Sequence, residues 1–142
     1  MTCNSRLAFL TLCVGVIVCI GACSMGESRQ KAEAAVGTFH NQLNASHFDE
    51  IYSGATSAFQ SSGPKTGFVA YVGGIRRKLG LFKTGQMTFW RVNTTTGGTF
   101  VDLNYESQFE QDTASEEFTF LMTEGRPVLQ RYNINSRTLV TK

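Results

Sequence analysis

The apolar residues of this chain change period once along its length, and that change limits the fold more than any other feature. Ala32, Ala35, Val36, Phe39 and Leu43 recur at i, i+3, i+4, i+7 and i+11, the single stripe of an amphipathic helix. Ser46, with Asp49 three residues on, resembles a capping box and starts a second helix, whose stripe is Phe48, Ile51, Tyr52, Ala55 and Phe59. Ser61-Ser62-Gly63-Pro64 interrupts the pattern, and Pro64 suits the first position of a third helix with Phe68, Val72, Ile75, Leu79 and Phe82 on its apolar face. After Gly85 the residues alternate instead. Segments 86–93, 99–109, 116–123 and 128–134 read as strands, joined by short turns at 94–98, 111–113 and Glu124-Gly125. Short turns make neighbouring strands antiparallel. The pattern therefore predicts an α+β fold, with N-terminal helices packed on a four-stranded antiparallel meander sheet.

The chain has 142 residues, enough for one compact domain. Its net charge of +2 is spread along the sequence, which excludes the clustered basic face that nucleic-acid binding needs. Cysteine placement matters more than cysteine number. Cys3, Cys13, Cys19 and Cys23 all precede Gly26, so the predicted domain contains no disulfide and no thiolate ligand.

The N-terminal segment carries its own signal. Arg6 precedes an uncharged apolar run, LAFLTLCVGVIVCI from Leu7 to Ile20. That run is shorter than the roughly 20 residues a membrane-crossing helix needs, and it fits the apolar region of a secretory signal peptide. It ends in Ile20-Gly21-Ala22-Cys23, which resembles the lipobox of bacterial lipoproteins: an aliphatic residue, two small residues, then the modified cysteine. The resemblance implies a signal peptide over residues 1–22, cleavage before Cys23, and diacylglycerol on the Cys23 sulfur. It implies a lipidated cysteine and tether over 23–30 and a single domain over 31–142. Ser24 and Met25 lack the Asp that resembles an inner-membrane retention signal, so a periplasm-facing outer membrane is the expected location in an organism with two membranes. The alternative is an uncleaved membrane anchor with an incidental cysteine.

The domain itself is similar to small uncharacterised bacterial lipoproteins of cystatin-like or nuclear-transport-factor-two-like shape. The residues that carry this are Phe39-His40-Asn41, Phe48-Asp49-Glu50-Ile51-Tyr52, Arg76-Arg77-Lys78-Leu79-Gly80, Val92-Asn93-Thr94-Thr95 and Tyr132-Asn133-Ile134-Asn135-Ser136. The resemblance spans Ala32 to about Leu139 and implies a fold, with no established activity.

Catalytic and metal motifs are absent from the sequence. No G-x-S-x-G elbow and no glycine-rich phosphate loop occurs, and two histidines without cysteine make a poor zinc site. His40 and His47 read as surface or helix-edge residues. Arg76-Arg77-Lys78 reads as a solvated face, with contact to anionic lipid as the alternative. Gly73-Gly74 marks either close approach by another element or a kink.

Proteins resembling the nuclear-transport-factor-two fold sometimes hold an acid, His or Tyr in the cone between helices and sheet, and the candidate pocket residues are Trp90, Arg91, Asp102, Tyr105 and Glu106. Asp102 and Glu106, however, alternate against the apolar side of their strand and so face water. The sequence leads to the expectation of a lipid-anchored envelope protein with a non-catalytic binding or adaptor domain. Its expected partners are the membrane, through Cys23, and a protein or envelope component, with no cofactor, metal or nucleic acid. The alternatives are a cone-pocket enzyme or small-ligand binder, and an inhibitor or immunity-type lipoprotein. Replacing Cys23 with Ser should stop acyl labelling and leave the precursor uncut; labelling that survives the substitution would contradict the lipobox reading.

Overall fold

The computed structural model describes residues 20–141, with side chains from Ser24 onward. Among these described residues five helices and four strands follow one another as α1 (Ile20–Asn44), α2 (Phe48–Ser53), α3 (Ser57–Ser61), α4 (Lys65–Leu79), β1 (Phe82–Thr95), β2 (Gly98–Phe109), β3 (Thr113–Thr123), β4 (Arg126–Asn135) and α5 (Arg137–Val140). The strands form one antiparallel sheet in the order β1-β2-β3-β4. The chain is thus α+β, with helices preceding a four-stranded meander, as the change of period predicts.

Several boundaries differ from the periodicity, each for a local reason. The second predicted helix is two: α2 stops at Gly54, and α3 starts afresh where the Thr56 hydroxyl accepts from the Phe59 N–H at 3.1 Å. The expected cap at Ser46 does not form. Ser46 has a positive φ of 59°, and His47 takes the N-cap position without a side-chain bond. Pro64 is the residue before α4 rather than its first turn. Phe82 belongs to β1, not to the third helix. Gly80, at φ 79°, ends α4, and a Cβ there would lie 2.7 Å from the Glu110 Cβ, so the chain reverses at a position only glycine fills. The segment read as lipidated cysteine and tether, 23–30, is helical and part of α1.

Along each strand one set of side chains turns toward the helices. Val101, Leu103, Ser107 and Phe109 of β2, and Ala114, Glu116, Phe118 and Phe120 of β3, are buried on this inner face. Helix α1 touches all four strands and covers the face with Ala32, Val36, Phe39 and Leu43. Helix α4 adds Val72, Ile75 and Leu79 to the same core. Gly73 is buried beside α2, where an added Cβ would meet the Phe48 ring at 3.6 Å, an ordinary van der Waals distance; α4 runs unbroken through Gly73-Gly74, so there is no break there and no packing demand for glycine.

Glu124-Gly125 is a two-residue hairpin loop with φ of 50° and 72°. Both positive values mark the mirror-image turn that suits twisted strands, and Glu is a poor occupant of the left-handed region. The ion pair of Glu124 with Arg126 is exposed and long, at 3.6 Å, and contributes little. Glu124→Asn should therefore stabilise the domain by about 0.5–1 kcal/mol, seen as a higher urea midpoint with an unchanged m-value.

Candidate functional site

The polar feature that stands out inside the domain is a chain of three side chains linking α1, β3 and β4. His40 lies on the flank of the α1 stripe and is 3% exposed. Its Nε2 is 2.7 Å from Oε2 of Glu116, which is wholly buried. The Tyr132 hydroxyl donates to the other oxygen, Oε1, also at 2.7 Å. As a carboxylate, Glu116 accepts from both neighbours, which places the proton of His40 on Nε2. The imidazole stacks on Phe82, with ring centroids 3.6 Å apart and planes 3° from parallel, and meets Phe39 and Phe118 edge-on. The reading of His40 as a surface or helix-edge residue is therefore wrong. His47 is exposed as expected, 3.5 Å from Glu50.

Burying a carboxylate costs several kcal/mol, and two short charge-assisted bonds offset part of that. The phenol of Tyr132 is held well above its ordinary range, first by burial and then by the adjacent Glu116 charge and the hydrogen bond to it. Tyr71 and Tyr105 are raised as well, both chiefly by burial; the Ile134 N–H opposes the effect at Tyr71, and Arg29 opposes it at Tyr105. Ser107 is buried close by, its Oγ without a hydrogen-bond partner, and a Cβ on Gly85 would lie 3.2 Å from it.

The five pocket candidates do not converge. Trp90 and Tyr105 lie on the inner face, opposite Leu103 and Glu116 in the ladder. Trp90 stays 43% exposed, because it sits on the edge strand with the Arg29 guanidinium 5.3 Å over its ring. Tyr105 is half-buried and packs edge-on to Phe118. Arg91, Asp102 and Glu106 lie on the outer face, as the alternation indicates. There Arg91 donates to Oδ2 of Asp102 from Nε and Nη2, at 3.1 and 2.7 Å, and the Thr119 hydroxyl donates to Oδ1 at 2.8 Å. Glu106 is exposed. The side chain of Cys23, the predicted lipidation site, lies outside the described residues, as does most of the leader.

Two hollows open at the surface. One of about 400 Å³ runs between α1, α2 and β4, with Ala35, Phe39, Ile51 and Leu129 as its apolar floor and Lys31 and Glu50 at the rim. Another, of about 540 Å³, lies where Phe59 of α3 meets Phe100, Asp102 and Arg131. Among the described residues no three His, Cys, Asp or Glu side chains gather as metal ligands. Among the same residues no helix is long and apolar enough to cross a membrane. No protein-family model and no curated protein matches the chain.

Glu116 sits in the apolar alternation of β3, two residues before Phe118, and that position was a visible signal. Its partner is 76 residues away, which periodicity does not show. Removing the carboxylate with Glu116→Ala should cost about 3–5 kcal/mol, since it leaves the buried His40 and the half-buried Tyr132 without this partner. Glu116→Gln should cost only about 1–2 kcal/mol, because an amide can still accept from Tyr132 and donate to the other histidine tautomer. Urea denaturation orders the two; equal losses would contradict the account.

Tyr132 also predicts a pH dependence. Between about pH 10, where the unfolded phenol ionises, and the raised folded value, the folded chain holds more protons at this residue than the unfolded chain does. Its contribution is therefore constant below about pH 10 and is lost as the pH rises through that window. Tyr132→Phe should flatten the alkaline fall of the urea midpoint.

Proposed function

We propose that this chain is a bacterial lipoprotein, anchored in the cell envelope through Cys23, whose domain is a non-catalytic binding or adaptor unit. The observation that carries the non-catalytic part is the closure of the interior. The carboxylate on the inner sheet face is wholly buried, both its oxygens are engaged, and the space around it is filled by Phe39, Phe82, Phe118 and Tyr132. A proton-transfer residue must reach its substrate within hydrogen-bond distance or through one water, and neither Glu116 nor His40 lines the two hollows described above, whereas the half-buried Tyr132 lines the second. The anchoring part rests on the Ile20-Gly21-Ala22-Cys23 lipobox and the uncharged run before it. The likeness to small envelope lipoproteins of cystatin-like or nuclear-transport-factor-two-like shape belongs to the same reading.

One observation favours a second reading. A buried His–Glu–Tyr chain is the kind of acid–base group that a cone-pocket enzyme would use. It would act only if the Phe82 stack opened, so the closed arrangement supports a binding role over a catalytic one.

Binding surfaces are available elsewhere. The outer sheet face exposes Phe89 beside the Arg91–Asp102 pair, and apolar and polar groups side by side are typical of protein interfaces. A native mass spectrum of the lipidated protein, purified from its own membranes in mild detergent, tests the reading. A stoichiometric protein or envelope component is the expected result. A monomer carrying a small bound molecule would overturn the adaptor role in favour of a ligand-binding cone.

A further inference from the structure

The domain has two chemically different ends, and the proposed anchor is built rigidly into one of them. Helix α1 runs without a break from Ile20 to Asn44, so no loop separates Cys23 from the body of the domain. Its first turns are flanked by the tips of both long hairpins: Ser24, Met25, Glu27 and Ser28 enclose a hollow with Thr94, Thr99, Met122 and Gly125. At a rise of about 1.5 Å per residue, Ser28 stands only about 7–8 Å beyond Cys23. The headgroup layer of a bilayer is about 5–7 Å deep on each side. A lipid on Cys23 therefore brings the hairpin tips to the outer margin of the headgroups.

The helix has no reason to lie flat instead. Among the described side chains, from Ser24 onward, its exposed positions are Ser24, Met25, Gly26, Glu27, Gln30, Lys31, Ala34, Gly37, Thr38 and Asn41, and Met25 is the only large apolar one of these. An interfacial helix needs a second apolar face, which α1 lacks, since its one apolar stripe is spent on the sheet.

Charge distinguishes the ends further. Near the anchor, the ionic groups cancel in pairs: Glu27 with Lys31, Arg29 with Glu33, and Glu124 with Arg126. The opposite end is where Asn44 bonds Phe82, Glu110 bonds the Leu81 N–H and Asp112 bonds the Thr138 N–H. The basic run Arg76-Arg77-Lys78 ends α4 there, with Lys78 donating to the Leu139 carbonyl and Arg137 close by; Lys83 pairs with Glu110 at 3.3 Å, so the excess positive charge comes from the α4 run and Arg137. Along α1 this end is about 30 Å from the first turn, several Debye lengths at physiological salt.

We infer that the lipidated domain stands on the bilayer through α1's first turns and its two hairpin tips, and presents its basic end away from the membrane. The surface it meets is zwitterionic phospholipid, contacted without net charge on the protein side. The orientation rests on the proposed lipidation of Cys23. It makes the basic end and the outer sheet face the parts available to an envelope partner.

The test uses the full lipidated protein from membranes, after its mass has shown the diacylglycerol. Cleavage before Cys23 leaves that residue as the only cysteine of the mature chain, its sulfur blocked by lipid, so T96C in the β1–β2 turn and Q111C in the β2–β3 turn each carry one unique nitroxide. The variants are placed in phosphatidylethanolamine vesicles, with and without phosphatidylglycerol, doped with a nickel-chelating lipid. Relaxation enhancement should be several-fold larger at T96C than at Q111C, in both vesicles and at low and high salt. Equal enhancements, or a larger one at Q111C on anionic vesicles, would overturn the orientation and leave the anchor standing. A mass without diacylglycerol would overturn the anchor and the orientation together.

Discussion

The fold depends on one burial event: α1 laid across the inner face of the four-stranded sheet. A lone meander exposes an apolar face that water disfavours, and a lone amphipathic helix is marginal. Each supplies what the other lacks. Ala32, Val36, Phe39 and Leu43 fall on one side of α1 because they are spaced three or four residues apart, and Val101, Leu103, Phe118 and Phe120 fall on one side of the sheet because they alternate. Helix α4 joins the same core, with the short helices α2 and α3 beside it.

Within that core the His40–Glu116–Tyr132 chain ties the helix to two strands at a defined register. A shift of β3 by one residue would carry Glu116 to the outer face and leave His40 without its partner. The network offsets its own desolvation only in the native pairing. It therefore does more to exclude other arrangements than to add stability.

The secondary structure was largely legible because both periods are clean. The number and order of the strands, the meander and the inner face of β2 all follow from alternation. The departures came from single residues acting against a continuing pattern. Gly80 ended a helix whose apolar stripe continues in register to Phe82, and Gly54 divided another. The site was less legible. His40 neighbours Phe39 on the helix and looked like an edge residue, because its burial depends on Phe82 and Glu116 arriving from distant parts of the chain. The pocket candidates are polar or aromatic residues on strands, yet Arg91 and Asp102 satisfy each other on the outer face while Trp90 sits at the sheet edge under Arg29. Alternation assigns faces; it does not say which polar residue meets which.

A closed core around Glu116, taken with the proposed anchor at Cys23, supports the proposal that the domain acts through its surface. The claim on which this turns is that Glu116 and His40 are sealed in the folded state. Hydrogen exchange of the His40 Nε2 proton, followed by NMR, measures that directly. If the site opens only when the domain unfolds, the free energy of exchange equals the global unfolding free energy and falls with denaturant at the same slope. Exchange that is much faster and insensitive to denaturant would mean that the site opens locally, and the domain would have to be regarded as one with an accessible pocket.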